Sequence, residues 1–396
     1  MVGGRRDRVV PAIRRTSEGT ALKIALVTSS YWPNIGGVEE HVRNVGAVLT
    51  DRGHSVTVWT VADHAAARSV DGLTVRELPC PLPNRSAAGL GHFAAAIPAA
   101  AAAWWSALRA DRPDILHVHC FGPNGTYAQI LRSLTRRPLI LTAHGETVAD
   151  ADGVFETSAL LRRSLRRALT QADAVTGCSE YTLADLRSRF GLGANAGTVV
   201  FNGIDAGEPE AACWQSPAGR YLLAVGRVVP TKGFDLLIGA FARSGLPREI
   251  RLVVGGDGPA LDDLRAQAVD LGVSDRVVFP GRLGRGEVVA AMRHALALIV
   301  PSRVEPFGIT VLEGWRAGVP VIATTRGGPP EFVADGETGL LVDPADDRAL
   351  ADRLRWVVEH SADAAAIGLA GRRRSGLFTW EAVADAYERL YLDLAG

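Results

Sequence analysis

Short apolar runs alternate along the whole chain with segments whose apolar residues recur every three or four positions. In the first half the runs are KIALVTS (23–29), SVTVWTV (55–61), LTVREL (73–78), DILHVH (114–119), PLILTAH (138–144), DAVTGCS (173–179) and GTVVFNG (197–203). Several are apolar throughout, the pattern of strands in a parallel sheet covered on both faces. Between the first two runs, Val38, Val42, Val45 and Leu49 keep helical spacing up to Gly53, which predicts a helix and a β-α-β unit.

The same alternation restarts after the polar stretch NGIDAGEPEAACWQSPAG (202–219), with runs at 220–226, 251–256, 276–281, 296–302, 319–324 and 339–343. Two doubly wound α/β domains in tandem are the expectation. The boundaries read as a basic leader (1–20), a first domain (21–205), a linker (206–219), a second domain (220–378) and a C-terminal helix (379–396). That last segment places Val383, Tyr387, Leu390, Tyr391 and Leu394 on one face. It could pack on either domain, and a return to the first is the arrangement entertained.

Length agrees with two cores: 396 residues exceed the roughly 250–300 at which a single core stops growing. Lysine plus arginine number 43, aspartate plus glutamate 43, so no global field attracts nucleic acid. Cys80, Cys120, Cys178 and Cys213 are widely spaced and read as reduced thiols of a cytoplasmic protein. The leader carries Arg5, Arg6, Arg8, Arg14 and Arg15 without an apolar run of signal-peptide length. The alanine-rich stretch 87–108, which contains His92 and Pro98, reads as a packed helix, since alanine favours membrane insertion too weakly.

Candidate chemistry clusters where strands end. PNIGGVEEHV (33–42) sets Gly36 and Gly37 before a helix, either an anion site of backbone amides or an ordinary tight turn. The spacing fits neither a dinucleotide fingerprint nor a P-loop. In VGRVVPTKG (225–233), Arg227 and Lys232 stand beside a strand's carboxyl end, where open α/β sheets bind ligands, and the two cations suit a pyrophosphate unless they are solvated surface. Asp257 belongs to a second glycine turn, GGDGP (255–259). In EPFGITVLE (305–313), Glu305 falls in a loop, Gly308 precedes a helix, and Glu313 lies a turn inside it. The first-turn amides of Gly308, Ile309 and Thr310 suit phosphate oxygens. The flanking carboxylates suit sugar hydroxyls, Glu313 a ribose and Glu305 a hexose, rather than an acid–base pair.

His144 ends the strand of LTAHGE (141–146) and faces the expected interdomain crevice, as a catalytic or a structural group. His117 and His119 alternate with Leu116 and Val118 and read as packed or hydrogen-bonded. Asp150 and Asp152 form a DxD in a loop, read as a coincidental acidic loop with no metal. LLRRSLRRAL, Leu160 to Leu169, places Arg162, Arg163, Arg166 and Arg167 opposite Leu161, Leu165 and Leu169. It is a solvated face or a peripheral membrane contact.

Taken together, GGVEEHV (36–42), AHGE (143–146), NGID (202–205), GRVVPTKG (226–233), GDGP (256–259), FPGR (279–282) and EPFGITVLE (305–313) resemble, in this order over residues 22–375, family 4 of the retaining glycosyltransferases. The resemblance implies a GT-B fold, two Rossmann-like domains across a cleft, and transfer of a hexose-type sugar from a nucleotide diphosphate sugar, UDP-linked, to a hydroxyl, without metal or other cofactor. It implies Arg227 and Lys232 on the diphosphate, Arg282 and Leu283 on the base through their backbone, Glu313 on the ribose and Asp257 in the same donor site. Glu305 with the amides of Phe307, Gly308, Ile309 and Thr310 would hold the transferred sugar and its phosphate. Gly36 and Gly37 would close over the phosphate, and His144 would contact the sugar near its reacting carbon. Replacing Lys232 by alanine is expected to cut turnover with folding intact. One departure is LEGWRAG (312–318), where the family usually has LEAMAxG. A GT-B epimerase and a non-catalytic nucleotide-sugar-binding partner are the alternatives.

Overall fold

The computed structural model describes residues 21–33, 36–83, 86–149, 153–205, 207, 214, 216 and 219–395. The expected leader, the pair Asp150 and Asp152, and most of the expected linker lie outside the described residues.

The apolar runs form two sheets. The first contains β1 (Lys23–Thr28), β2 (Ser55–Val61), β3 (Ala66–Val70), β4 (Leu73–Leu78), β5 (Ile115–His119), β6 (Leu139–Ala143), β7 (Ala174–Gly177) and β8 (Thr198–Val199), in the order β3-β4-β2-β1-β5-β6-β7-β8. Every pairing is parallel except β3 with β4. The second contains β9 (Tyr221–Val225), β10 (Arg251–Gly255), β11 (Val277–Gly281), β12 (Leu298–Val300), β13 (Val321–Thr324) and β14 (Leu340–Val342), in the order β11-β10-β9-β12-β13-β14, all parallel. That is the 3-2-1-4-5-6 order of a doubly wound nucleotide-binding sheet.

Helices of the first half are α1 (Gly37–Asp51), α2 (Ala87–Asp111), α3 (Pro123–Thr135), α4 (Val154–Thr157), α5 (Ala159–Gln171) and α6 (Glu180–Phe190). The second half supplies α7 (Phe234–Arg243), α8 (Leu261–Asp270), α9 (Arg285–His294), α10 (Ile309–Ala317), α11 (Asp347–Glu359), α12 (Ser361–Ser375) and α13 (Trp380–Ala395). Helices α2, α3, α5 and α6 bury Trp104, Tyr127, Leu131, Leu161, Leu165 and Phe190 in one core. A separate core beneath α1 and α13 covers the first sheet with Val42, Val45, Leu49, Val383, Tyr387 and Tyr391.

The C-terminal helix thus lies on the first sheet, beside α1, with Arg52 bonded to Glu388 at 2.7 Å. To reach it the chain crosses next to its own earlier crossing: Ile204 N–H donates to Phe378 O at 2.9 Å. A Cβ on Gly203 would come within 2.7 Å of the Thr379–Trp380 backbone, so only glycine allows that approach.

Candidate active site

A doubly wound sheet leaves a crevice where strand order reverses, outside the carboxyl ends of two strands whose connections depart in opposite directions. In the first sheet that point lies between β1 and β5, and in the second between β9 and β12. The segments leaving these four strands carry most of the residues singled out from sequence.

On the second-domain side, Lys232 closes a single 3₁₀ turn, Pro230–Lys232, after β9. The turn packs backbone to backbone against the segment after β12: a Cβ on Gly233 would lie 2.0 Å from Pro301 O. Arg303 N–H donates to Thr231 O at 2.8 Å, and the Arg303 guanidinium grips Asp235 at 2.7 and 2.6 Å. Held this way, Lys232 Nζ lies 2.7 Å from Glu305 Oε2, which also accepts from Ser302 Oγ at 2.8 Å. Glu305 is 7% exposed, so its charge is compensated chiefly by Lys232. The sequence assigned these two to different parts of a ligand, yet here they form one ion pair. Lys232 therefore also carries stability, and alanine there cannot leave folding untouched.

Gly308, at φ +106°, opens α10, and no side chain caps its first turn. Phe307 is buried against Phe201 and Phe332, ring centroids 5.7 and 4.8 Å away, so it contributes backbone rather than side chain. Glu313 is half-buried one turn into α10. Arg227, Asp257 and Arg282 are exposed, and Leu283 is half-buried. The Arg227 and Asp257 loops are laced together by Val228 N–H donating to Asp257 O at 2.9 Å and Ala260 N–H to Val228 O at 3.1 Å.

Across the cleft, Gly36 precedes α1, also without a side-chain cap. A Cβ on Gly37 would lie 3.2 Å from Ile309 Cδ1, so the uncapped N-termini of α1 and α10 meet at one place. Each begins at a glycine that gives no side-chain cap, so each turns the first-turn amides, which have no intrahelical partner, and the positive end of a helix dipole towards the cleft. Arg285, at the start of α9, spans the same seam to Glu40 at 3.0 and 3.1 Å.

His144 follows β6 at this seam. The adjacent Gly145, at φ +102°, leaves no room for a Cβ, which would fall 2.2 Å from Pro306 Cγ. Glu146 fixes the turn by accepting from Phe121 N–H at 2.7 Å and His144 N–H at 2.8 Å. Burial pushes its carboxyl up, and these amide bonds oppose that.

Behind His144 lies a cluster that sequence reading missed as a unit. His117 and His119 are fully buried, as expected of packed groups, and they are joined by His41 of α1. His117 Nδ1 is 2.6 Å from Tyr391 OH, and its Nε2 is 2.6 Å from Thr142 Oγ1. His41 Nδ1 is 2.8 Å from Asn202 Oδ1, and its Nε2 is 3.0 Å from Tyr387 OH. His119 Nδ1 is 3.1 Å from His144 Nε2. Burial holds all four imidazoles neutral: His41 is pushed down to about 4, and His117, His119 and His144 well below the ordinary histidine value. Ring nitrogens of His41, His119 and His144 lie within 4.8 Å of one another, a spacing that suits a metal. Both His41 nitrogens are spent on Asn202 and Tyr387, however, so the group is organised as a hydrogen-bonded cluster.

The segment after β13, TRGGPPE (325–331), was also missed. Glu305 N–H donates to Arg326 O at 3.0 Å, and Gly328 N–H to Glu305 O at 2.9 Å. Glu331 reaches over to cap α6, accepting from Glu180 N–H at 2.7 Å and Tyr181 N–H at 2.8 Å. Paired glycines and prolines directly after a strand were the available signal.

Two family models match the chain: Glycosyltransferase Family 4 over residues 35–208 and Glycosyl transferases group 1 over residues 215–374. The glycogen synthase of Mycobacterium tuberculosis is 30% identical over 94% of this chain and 94% of that protein. The GDP-mannose-dependent alpha-(1-6)-phosphatidylinositol monomannoside mannosyltransferase of Mycolicibacterium smegmatis is 30% identical over 88% of this chain and 92% of its own. Among solved structures, sucrose-phosphate synthase of Thermosynechococcus elongatus superposes with a TM-score of 0.77 at 25% identity, covering 94% of this chain and 98% of that one. Anabaena HepE in complex with UDP and glucose superposes at 0.72 and 21% identity, covering 93% and 99%.

Proposed function

Because the chain belongs to the family 4 glycosyltransferases and has their GT-B fold, we propose that it transfers a hexose-type sugar, with retention of anomeric configuration, from a UDP-linked donor to a hydroxyl acceptor. The observation that carries this reading is the convergence of two uncapped helix N-termini, at Gly37 and Ile309, beside the Lys232 ammonium. Breaking a sugar–phosphate bond builds negative charge on the leaving diphosphate. Preformed amide dipoles and cations stabilise it most where they cost no reorganisation. Arg227 and Lys232 serve the diphosphate, and the amides from Phe307 to Thr310 receive phosphate oxygens. Gly36 and Gly37 bring α1 over it from the other side. With these positive groups the reaction needs no metal.

Glu305 holds the sugar through Oε1 while Oε2 keeps Lys232. Glu313 takes the ribose, the backbone of Arg282 and Leu283 takes the base with Asp257 nearby, and His144 reaches the sugar close to the reacting carbon. Retention follows if the acceptor enters on the leaving-group side and a phosphate oxygen takes its proton, a route that requires no enzyme nucleophile. The test is incubation with UDP-, GDP- and ADP-sugars and candidate hydroxyl acceptors, read by nucleotide release and by NMR of the product's anomeric centre. UDP released together with an α-linked product from an α-linked donor is expected. Release of UDP with a 2-epimerised free sugar would make the protein an epimerase, and no release from any donor would end the proposal.

Membrane contact through α5 belongs to the same reading. Arg163 and Arg167 are exposed on α5 beside Leu160, and the neighbouring α3 exposes Ile130 and Leu134. Arg162 is half-buried and donates to Phe155 O at 2.7 Å, and Arg166, though exposed, donates to Arg189 O at 3.0 Å. Cationic heads beside apolar side chains suit an anionic bilayer, and no helix of the described residues is long and apolar enough to cross one. Sedimentation with phosphatidylglycerol-containing vesicles is expected, with loss in Arg163→Glu/Arg167→Glu and none with pure phosphatidylcholine. Equal sedimentation of the variant and the parent would remove α5 from the contact.

A further inference from the structure

We propose that His119 is a positioning residue for the transfer: its Nδ1–H donates to His144 Nε2 and so fixes the tautomer in which His144 presents Nδ1–H as a donor at the cleft. The inference rests on the reading of His144 as the group nearest the sugar.

The argument begins with a count of protons. His119 Nδ1 and His144 Nε2 are 3.1 Å apart, and burial keeps both rings neutral. One nitrogen of the pair carries the proton and the other a lone pair. If His144 were the donor, the single proton of His119 would sit on its Nε2. That atom is buried and has no hydrogen-bond partner. An N–H donor would then be stranded in an apolar interior, which folded proteins almost never tolerate, whereas an unused imidazole lone pair costs less. The proton of His119 therefore sits on Nδ1.

No neighbour rescues the alternative. The rings facing His119 are His117, His41, His144 and Tyr387, with centroids 4.0, 5.2, 5.4 and 5.9 Å away. Each of the other three is committed elsewhere. Asn202 offers its amide oxygen to His41 Nδ1, which makes His41 Nε2 the acceptor for Tyr387 O–H. His117 is closed between Tyr391 OH and Thr142 Oγ1. Tyr387 and Tyr391 both come from α13, so the last helix of the chain shapes the histidine floor of the cleft.

With Nε2 occupied as an acceptor, His144 can meet a sugar only through Nδ1–H. It would then accept no proton from the substrate and would act by donating to a sugar oxygen, which favours an oxygen whose own hydrogen points away.

Two measurements decide the matter. In ¹⁵N-histidine-labelled wild-type protein, with the His144 signals assigned by their loss in His144→Gln, His144 is expected to have a protonated Nδ1 and an unprotonated Nε2. The reverse pattern would overturn the proposal. In parallel, release of UDP from UDP-glucose is followed in His119→Leu, which removes the donor, and in His119→Asn, whose Nδ2 falls where Nδ1 was. The leucine variant is expected to lose about 10- to 100-fold in kcat/KM, chiefly in kcat, and asparagine to restore most of it. In a His144→Ala background, His119→Leu should add nothing. A full-sized loss in that background would make His119 merely structural and overturn the proposal. If His144→Ala itself turned over normally, the sugar-facing reading of His144 would fall, while the NMR pattern would still decide the tautomer.

Discussion

Lys232→Ala is expected to turn over its donor roughly 10²- to 10³-fold more slowly than the parent and to melt several degrees lower. Both effects come from one ammonium. Lys232 Nζ sits 2.7 Å from Glu305 Oε2, and Glu305 is almost wholly inside the protein. Removing the cation strands a buried carboxylate, a loss of about 3 kcal/mol for a pair broken on one side. The same cation stands at the crevice between β9 and β12, beside the uncapped start of α10, where the proposed reaction would develop charge as the donor bond breaks. The two roles separate in a double variant. Lys232→Met/Glu305→Gln has no unpaired charge, so its melting temperature should return towards the parent value while turnover stays low. Thermal unfolding and UDP release measured on the three proteins check this. Turnover of Lys232→Ala within a few-fold of the parent would remove Lys232 from the chemistry, whatever its effect on melting.

The periodicity of the sequence located the strands of both sheets, most within a residue or two, because several runs are apolar throughout and are flanked by turn residues; it overextended β8, which spans only Thr198–Val199 of the run 197–203. It passed over β3, whose AARSV (66–70) is a half-polar edge strand. The Asp71–Gly72 turn, with φ of 49° and 82°, was the hairpin signal that should have exposed it. The helix over Trp380–Ala395 was legible as amphipathic, but an apolar face does not name its partner. Its place on the first sheet depends on contacts such as Arg52–Glu388 between residues far apart in the chain.

The site was legible to the extent that chemistry sits next to strand ends. Gly37, His144, Lys232, Glu305 and Gly308 all emerge from such ends, and the fold brings them to one seam. Which of them touch each other was not legible. The Lys232–Glu305 pair joins two strands that are adjacent only because the order reverses between β9 and β12. The histidine cluster unites His41, His117, His119 and His144 with Tyr387 and Tyr391 from the opposite end of the chain, and each histidine taken alone resembles an ordinary core residue.

That cluster is expected to make the first domain acid-labile, because all four imidazoles are buried and their protonation is disfavoured in the folded state. His41, His117, His119 and His144 are held neutral in the folded protein by burial. In the unfolded chain each takes a proton near pH 6.5. Above that pH neither state binds the proton, and the full stability is present. Below it the unfolded state binds more protons than the folded one, so stability falls with pH until the depressed folded values are reached. Each group contributes a loss on the order of 1 kcal/mol between pH 7.5 and 5.5, and the four together several kcal/mol. Glu146 and Glu331 oppose the trend, because burial raises both and the folded state takes up their protons first. Two carboxyls trim the slope of four imidazoles without reversing it. Since a domain's whole stability is about 5–15 kcal/mol, urea or thermal unfolding should show a steep decline over this window and loss of the first domain's cooperative transition near its lower end. His117→Gln, which removes one of the four protons, should flatten the decline by about a quarter, in keeping with the same per-group magnitude. A midpoint that stays constant from pH 7.5 to 5.5 would mean that the imidazoles take up protons as readily in the folded protein as in the unfolded chain, contrary to their burial.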